Sequence, residues 1–185
     1  MGWSRRVSPA QLRRLYEQQR LTPAEIGDFL DSQRTLVLVT LRPDGSPVAH
    51  PMWFTKLGDA LYVDTKRSSL KSRNVSRDGR VCAVVEAGES YFELRGVRVE
   101  GRCEEVKDPD EIARARAAQA EKDARIGSGL GEMPAWFKGS REQRLERGDR
   151  ILLRIPMQRV FSWDFSKVRS HYARGSQRRA GEARS

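Results

Sequence analysis

Three short hydrophobic segments, each separated from the next by only a few residues, limit the possible fold more than any other feature of the sequence. They are TLVLVTL (35–41), PVAHPMWFTK (47–56) and ALYVDT (60–65). The connections RPDGSP and LGD contain Pro, Asp and Gly, which are typical of tight turns. Such turns join antiparallel strands, because parallel neighbours need a crossover of about a dozen residues or more. The sequence therefore predicts an antiparallel meander and not a doubly wound parallel sheet.

Later segments continue the strand pattern. RVCAVVEA (80–87), the long YFELRGVRVEGRCEEV (91–106) and RILLRIPMQRVFSWDF (150–165) show the alternation of a strand. Gly96 and Gly101, inside the long segment, indicate bulges or a sharp bend. Six or seven mostly antiparallel strands with a few peripheral helices predict a mainly β (α+β) fold, a small barrel of Greek-key type.

Two short helices are predicted before the first strand. Ser8 with Pro9, and Thr22 with Pro23, combine an N-cap residue with the proline that favours the first helical position. The apolar faces of these helices are formed by Leu12, Leu15 and Tyr16 and by Ile26, Phe29 and Leu30. A longer helix, DPDEIARARAAQAEKDARI (108–126), has little apolar stripe, so we expect it to be exposed.

A chain of 185 residues fits one domain with attached ends. We expect N-terminal helices over residues 1–34 and a barrel over residues 35–165. The remainder, 166–185, is basic and has too little apolar material to order itself, so it is predicted to be a disordered tail.

The positive charge is concentrated in three places. The formal net charge is +10, but residues 1–20 carry five Arg and one Glu, and residues 166–185 carry six Lys or Arg and one Glu. Within the nearly neutral remainder, residues 65–80 hold six cations and one Asp. The ends would attract nucleic acid only nonspecifically, and no basic strand with interleaved aromatic residues is present, so nucleic-acid binding is disfavoured.

The cationic segment 65–80 has the composition of an anion site. It predicts a helix from about Ser68 to Arg77, whose first turn presents free N–H groups and the positive end of the helix dipole. Hydroxyls and charges from the same segment surround this helix start, and phosphate is the ligand that suits it best. The alternative is a solvated helical connection between strands, as charge runs usually are.

The segments TLVLVTLRPDGSPVAHPMWF, ALYVDTKRSSLKSRNVSRDGRVCAVVE, YFELRGVRVEGRCEEV and RVFSWDFSK occur in an order that resembles the split-barrel flavin and deazaflavin oxidoreductases related to pyridoxamine 5'-phosphate oxidase. The resemblance covers about residues 35–107 and 150–167. It implies a six- to seven-stranded antiparallel split β-barrel, with a cofactor lying across the barrel at the interface of a homodimer.

The resemblance also implies a set of site residues. Candidate ligands of the cofactor phosphate are Thr65, Lys66, Arg67, Ser68, Ser69, Lys71 and Asn74. The strand that contains His50, Pro51, Met52 and Trp53 would run beside the ring system and bond its polar edge through main-chain groups. Because Pro51 lacks an N–H group, this strand needs an edge or a bulge there. His50 is a candidate at the cofactor edge and not a required base, since hydride transfer is the cofactor's chemistry.

The implied function is an oxidoreductase that uses coenzyme F-420, a deazaflavin, or FMN to transfer hydride or electrons to or from a small organic substrate. The segments DGSP, YVDT, SLKSRN and RDGRV look most like the F-420 branch, although Gly79 stands where that branch commonly has proline. The alternative is a non-catalytic split barrel that sequesters a flavin or haem. The sequence does not decide between these alternatives, because a cofactor-catalysed enzyme requires few particular side chains.

Other features are interpreted as structural. Cys82 and Cys103 lack metal-site spacing and are typical of thiols in a reducing cytoplasm. The longest apolar run is far shorter than the roughly 20 residues of a membrane helix, which predicts a soluble protein. In the loop GSGLGEMPAWFKGS (127–140), Trp136 and Phe137 are expected to anchor the loop to the barrel, and the alternative is an aromatic lid over a substrate. Neither a hydrolase triad nor a metal constellation is evident in the sequence.

Overall fold

The structure is a computed structural model that describes residues 8–127, 134–136 and 147–170. Most of the predicted loop 127–140, including Phe137, lies outside the described residues. The same is true of the part of the predicted tail that follows Ser170.

Four helices are described in these ranges: α1 (Pro9–Gln18), α2 (Pro23–Ser32), α3 (Leu70–Arg77) and α4 (Pro109–Ile126). The predicted starts of the first two are confirmed, since Ser8 and Thr22 both close capping boxes. The predicted apolar face of α1 is only partly buried. Leu15 is covered, whereas Leu12 and Tyr16 are exposed, because α1 packs mainly against a short 3-10 turn and not against a broad sheet.

Nine strands are described in the same ranges: β1 (Thr35–Leu41), β2 (Pro47–Trp53), β3 (Thr55–Leu57), β4 (Ala60–Lys66), β5 (Arg80–Ala87), β6 (Arg95–Arg102), β7 (Glu104–Glu105), β8 (Arg150–Pro156) and β9 (Arg159–Asp164). They form a five-stranded sheet, in the order β2-β1-β5-β6-β9, and a four-stranded sheet, in the order β3-β4-β8-β7. Every described strand pair is antiparallel. The predicted antiparallel split barrel with peripheral helices is confirmed.

Three predicted strands are divided because the chain crosses from one sheet to the other within them. The crossings lie at Phe54, between β2 and β3, at Cys103, between β6 and β7, and at Met157, between β8 and β9. Each crossing residue turns inward: Phe54 and Cys103 are buried, and Met157 packs against the core. The crossings explain why nine strands stand where six or seven were predicted.

The core lies between the two sheets. Leu36 and Leu38 of β1, Val85 of β5 and Ile155 of β8 are almost completely buried there. Strand alternation places these side chains on the inner faces, so burial of apolar surface holds the sheets together. No helix within the described ranges is long and apolar enough to cross a membrane.

Gly96, in the long strand segment, serves close packing and not a bulge. Gly101 lies two residues before the crossing at Cys103, in agreement with the predicted bend. The pairing of β5 with β6 is continuous from Arg80 opposite Arg102 to Ala87 opposite Arg95. A Cβ on Gly96 would lie 2.3 Å from the indole ring of Trp163, on the neighbouring strand β9. The predicted bulge at Gly96 is therefore wrong, and the glycine is there because the Trp163 ring covers it.

The predicted start of the disordered tail at Ser166 is also wrong. A 3-10 turn, Phe165–Val168, continues the fold. Val168 is almost completely buried, and the ammonium of Lys167 lies 2.7 Å from the carboxylate of Glu25 on α2. One apolar side chain and one ion pair thus attach this segment to the N-terminal helices.

Helix α4 is largely exposed, as predicted, but one of its lysines is not. Lys122 is only 3% exposed, and its Nζ donates hydrogen bonds to the carbonyl oxygens of Leu30 (2.9 Å) and Phe54 (3.2 Å). The ammonium also lies 3.8 Å from the centre of the Phe54 ring. Lys122 therefore provides hydrogen-bond donors for two carbonyl groups, one near the end of α2 and one where the chain crosses between the sheets.

Candidate functional site

The start of α3 is closed by hydroxyl groups. Ser69 is the N-cap, and its Oγ accepts a hydrogen bond from the Ser72 N–H (3.3 Å). The Ser72 hydroxyl donates to the carbonyl of Lys66 (2.7 Å), and the Thr65 and Ser69 hydroxyls lie 3.3 Å apart. Of the predicted hydroxyls, Thr65 and Ser69 are therefore brought together, with Ser72 in addition, whereas Ser68 is exposed. The three clustered hydroxyls bond one another and order the turn from β4 into α3.

The cations of this segment face in different directions. Lys66 and Arg67 are exposed, as is the neighbouring Ser68. The Arg67 guanidinium lies 3.1 Å from the carboxylate of Glu105 on β7. Lys71, in the first turn of α3, is partly buried, and both this burial and the charge of Arg150 lower its pKa. Lys71 is thus partly buried, whereas Arg73 and Arg77 of the same helix are exposed.

Asn74 forms part of the structural framework. Its side chain is 1% exposed, and its Nδ2 donates a hydrogen bond to Thr40 Oγ1 on β1 (3.0 Å). Its Oδ1 accepts from the guanidinium of Arg77 (3.4 Å). Both ends of the amide are therefore engaged, which fixes the orientation of α3 on β1.

The four predicted residues of β2 fall on opposite faces of the five-stranded sheet. His50 and Met52 face the barrel interior and are partly buried, whereas Pro51 and Trp53 lie on the outer face and are exposed. Strand β2 is an edge strand of its sheet, so the edge predicted from Pro51 is confirmed. Only one pair of these side chains can face a ligand on a given side of the strand.

His50 connects the two halves of the predicted site. Its pKa is lowered by burial first, and then by the positive charges of Lys71 on α3 and Arg42 at the β1–β2 turn. Its Nδ1 is buried and has no hydrogen-bond partner among the described residues. Positive charges from two other elements, Lys71 on α3 and Arg42 at the β1–β2 turn, therefore both oppose protonation of His50.

Arg42 and Arg150, whose charges act on His50 and Lys71, are not among the residues predicted from the sequence. The first lies in a turn and the second begins β8, where it forms an ion pair with Asp64 of β4. Both are far from residues 65–74 in the chain and reach Lys71 or His50 only through the folded sheets. No local signal in the sequence marks them.

A second cationic surface lies on the opposite side of α3. A shallow cavity of about 350 Å³ is lined by Arg67, Ser72, Arg73, Ser76, Arg77, Glu105 and Ile151. Helical spacing places Ser72, Arg73 and Ser76 away from Lys71 and Asn74. Part of its charge is already paired, since Arg67 binds Glu105 and the Arg73 guanidinium donates to the carbonyl of Ser68.

The two antiparallel sheets and the strand-to-helix cationic site together define a split-barrel flavin-binding fold. The family profile of pyridoxamine 5'-phosphate oxidase matches residues 22–164, which is most of the chain. The chain belongs to this family.

Solved structures with the same fold have diverse descriptions. A conserved hypothetical protein, Rv2991 from Mycobacterium tuberculosis, is 32% identical, with a TM-score of 0.67 over 82% of this chain and 89% of that chain. An F-420 reductase is 23% identical, with a TM-score of 0.54, and the match covers 76% of this chain and 98% of that chain. A heme binding protein from Mycobacterium smegmatis is 20% identical, with a TM-score of 0.56, and the match covers 80% of this chain and 60% of that chain. The last two show a shared fold only. Comparison with curated protein sequences found no match.

The residues present fit the anionic end of a flavin-like cofactor. Lys71, partly buried in the first turn of α3, supplies positive charge, and Arg42 at the β1–β2 turn adds to the positive charge that acts on β2. The first-turn N–H groups of α3 point in the direction that favours anions. One edge of β2 pairs with no other strand in the described part of the chain, and it offers main-chain groups to a polar ring edge.

Proposed function

We propose that this protein is an oxidoreductase that binds a flavin or deazaflavin cofactor and acts on a small organic substrate. The observation that supports it most is Lys71, a partly buried cation in the first turn of α3 whose pKa is lowered by burial and by the positive charge of Arg150, next to a turn that the hydroxyls of Ser69 and Ser72 order. Like charges approach one another at a cost, and an anion between them removes that cost. The family supports the same conclusion, since it consists of flavin-binding split barrels.

In this proposal each part of the site has a separate task. Lys71 and the first-turn N–H groups of α3 hold the phosphate, and the hydroxyls of Ser69 and Ser72 keep that turn in shape. The main-chain edge of β2 orients the ring, and Met52 provides an apolar contact on the inner face. The cofactor, when bound, supplies the hydride or electron transfer.

We further propose that coenzyme F-420 is preferred to FMN. The segments YVDT and SLKSRN resemble the F-420 branch, and an F-420 reductase shares the fold. The cationic segment at the start of α3, with the exposed Lys66 and Arg67, offers additional positive charge to a ligand whose acidic groups extend beyond one phosphate.

A second copy of the chain is proposed to cover the outer face of the five-stranded sheet. Val37, Trp53 and Phe161 are 38%, 39% and 42% exposed there, on β1, β2 and β9. The register places Val37 opposite Pro51 and next to Val84, so β1, β2 and β5 present an apolar surface. Toward β9 the face is mixed, since Arg98 of β6 lies opposite Val84 and over the Phe161 ring. A homodimer would bury this surface and bring a partner to the edge of β2, which is where the ring is proposed to lie.

Titration of the apo protein with FMN, F-420 and haem, followed by absorbance and fluorescence, tests the cofactor assignment. Tight binding of F-420 is expected, with FMN weaker and haem weaker still. Stopped-flow oxidation of the bound, reduced cofactor by a panel of small acceptors then separates an enzyme from a sequestering protein. Preferential binding of haem, or no binding of any of the three, would contradict the proposal.

A further inference from the structure

A cavity of about 570 Å³ lies at the end of the five-stranded sheet that is remote from α3. A row of paired residues on three neighbouring strands lines it: Ala87 of β5 lies opposite Arg95 of β6, which lies opposite Asp164 of β9. Strand β5 is eight residues long, so its ends are roughly 20 Å apart at about 3.3 Å per residue. Because α3 leads into the start of β5 and the cavity lies at its end, the cavity is separate from the proposed cofactor site.

Two short 3-10 turns form the walls of this cavity. They are Tyr91–Glu93 and Phe165–Val168. The rings of Tyr91 and Phe165, one from each turn, stack with their centres 5.0 Å apart. The Phe165 N–H also donates a hydrogen bond to the Leu94 carbonyl (3.0 Å). The two walls are therefore fixed to each other, which is what a preformed binding site requires.

Two arginines that line the cavity have unused hydrogen-bond donors. The guanidinium carbon of Arg95 lies over the ring of Phe29 on α2, 5.1 Å from its centre, and that of Arg169 lies over the Phe92 ring, at 5.7 Å. Both arginines are exposed, and neither guanidinium forms a hydrogen bond or an ion pair with another residue of the described ranges. Contact with a ring holds a guanidinium in place without using its N–H groups. These donors are accessible to a ligand.

The two carboxylates that line the cavity are, in contrast, already hydrogen-bonded. Asp164 accepts hydrogen bonds from the Ser166 N–H (2.9 Å) and hydroxyl (2.6 Å). Glu93 accepts one from the Ser90 N–H (3.2 Å). The pKa of Glu93 is lowered first by its hydrogen bonds with Ser90 and least by the charge of Arg169. The fold therefore satisfies the acidic groups of the cavity and leaves its guanidinium groups for a ligand.

The chemistry of the lining indicates the class of ligand. A carboxylate matches the planar donors of a guanidinium. Two arginines and two carboxylates leave the cavity with no net formal charge, so a multiply charged anion gains no general attraction there and is repelled by the carboxylates. Ala87 and Phe92 provide apolar contacts, and the volume suits a small molecule.

We propose that this cavity is a binding site for a small organic monocarboxylate with an apolar part, whose carboxylate is bound by Arg95 and Arg169. The site goes beyond the proposed function and does not depend on it.

Benzoate is the probe for this site, since it joins one carboxylate to an apolar ring. Benzamide has nearly the same shape without the charge, and inorganic phosphate has more charge without the apolar part. NMR titration of the isotope-labelled full-length chain measures both the affinity and the place of binding. Benzoate should bind at least about tenfold more tightly than benzamide or phosphate, with the largest shifts in residues 87–95 and 164–169.

Substitution of each arginine tests its role. Arg169→Gln and Arg95→Gln should each weaken benzoate binding about tenfold or more, because each removes a charge and a pair of planar donors. Arg95→Lys keeps the charge and should still bind more weakly than the parent chain. Arg102→Gln, at the exposed opposite end of β6, is the matched control and should change the affinity less than about threefold. Thermal unfolding verifies that each variant is folded.

Three results with benzoate would overturn the proposal: binding no tighter than that of benzamide or phosphate, shifts confined to other residues, or equal losses in Arg169→Gln and Arg102→Gln. A further measurement tests whether the site is separate. The affinity of Arg169→Gln for whichever of FMN and F-420 binds should match the parent within about threefold, and a tenfold loss would make the cavity part of the cofactor site. The benzoate titrations need no cofactor, so this proposal and the proposed function can fail independently.

Discussion

The Nδ2 of Asn74 donates a hydrogen bond to Thr40 Oγ1 across 3.0 Å, and both residues are buried, at 1% and 0% exposure. This bond joins α3 to the central part of the five-stranded sheet. The orientation of the helix that carries Lys71 therefore depends on a polar contact in the interior, which is the kind of contact that is costly to break on one side only.

Replacing Asn74 with Ala should lower the free energy of unfolding by about 1–3 kcal/mol, because it leaves the buried Thr40 hydroxyl without its partner. Urea unfolding measures this loss. Ser76→Ala, at an exposed position of the same helix, is the matched control and should change stability by no more than about 0.5 kcal/mol. Unchanged stability of Asn74→Ala, with a large loss of cofactor affinity, would instead indicate that Asn74 acts as a ligand.

Gly96→Ala should destabilise the protein by about 1–3 kcal/mol, because the new methyl group would overlap the Trp163 ring. Gly27→Ala provides the comparison. Gly27 lies within α2 with nothing within 4 Å of an added Cβ, so alanine there should stabilise by about 0.5–1 kcal/mol. Thermal unfolding of the two variants in parallel measures the contrast. Equal effects at both positions would show that the close approach of Trp163 is not a constraint.

Lys122 should give the protein a characteristic stability profile at alkaline pH. Burial lowers its pKa from 10.5 to about 8. Between these values the unfolded chain holds a proton that the native protein has lost, so this lysine makes stability rise with pH, by at most about 1.4 kcal/mol per pH unit. Below about pH 8 the lysine is charged in both states, and its contribution no longer changes with pH.

The variant Lys122→Met removes this titration. The difference in unfolding free energy between parent and variant, measured in urea from about pH 7 to 9.5, should therefore change in favour of the parent as pH rises. Groups common to both proteins cancel in the difference. A difference that is constant over this range would contradict a lowered pKa at Lys122.

Much of the fold follows from local patterns in the sequence. The caps at Ser8 and Thr22 and the alternation in 35–41 and 80–87 identify elements because each depends on neighbours in the chain. The crossings at Phe54, Cys103 and Met157 cannot be predicted from local patterns. Alternation predicts the face on which a residue lies but not the sheet to which its strand belongs.

The candidate site also contains some features that the sequence predicts and others that depend on the folded structure. The cationic segment, its cap at Ser69 and the edge position of β2 could be predicted from residue types. The burial of Lys122 could not, because a lysine in a polar helix is usually exposed and its acceptors, at Leu30 and Phe54, come from distant segments. The approach of Arg42 to His50 likewise depends on the folded sheet.

Ending the chain after Ser170 should leave the affinity for the cofactor nearly unchanged. The proposed ligands all precede this position, and the removed residues carry four Arg and one Glu, so the effect expected of them is a long-range attraction for anions. At ~0.15 M salt such attraction is largely screened, so a change of less than about threefold is expected. Fluorescence titration of the shortened and full-length chains provides the test, and a tenfold loss would show that this segment contributes to the site.

The central claim is that Lys71, beside the start of α3, holds the anionic end of a flavin-like cofactor. The most direct test is the dissociation constant of F-420 and of FMN for Lys71→Glu, with Arg114→Glu as a control. Arg114 is an exposed cation on α4, a helix that packs against β3, and its replacement makes the same change in net charge. Loss of a charge-assisted hydrogen bond predicts about 10- to 100-fold weaker binding for Lys71→Glu and about threefold or less for Arg114→Glu, with both variants folded. Equal affinity of Lys71→Glu and the parent chain for the cofactor that binds would contradict the account.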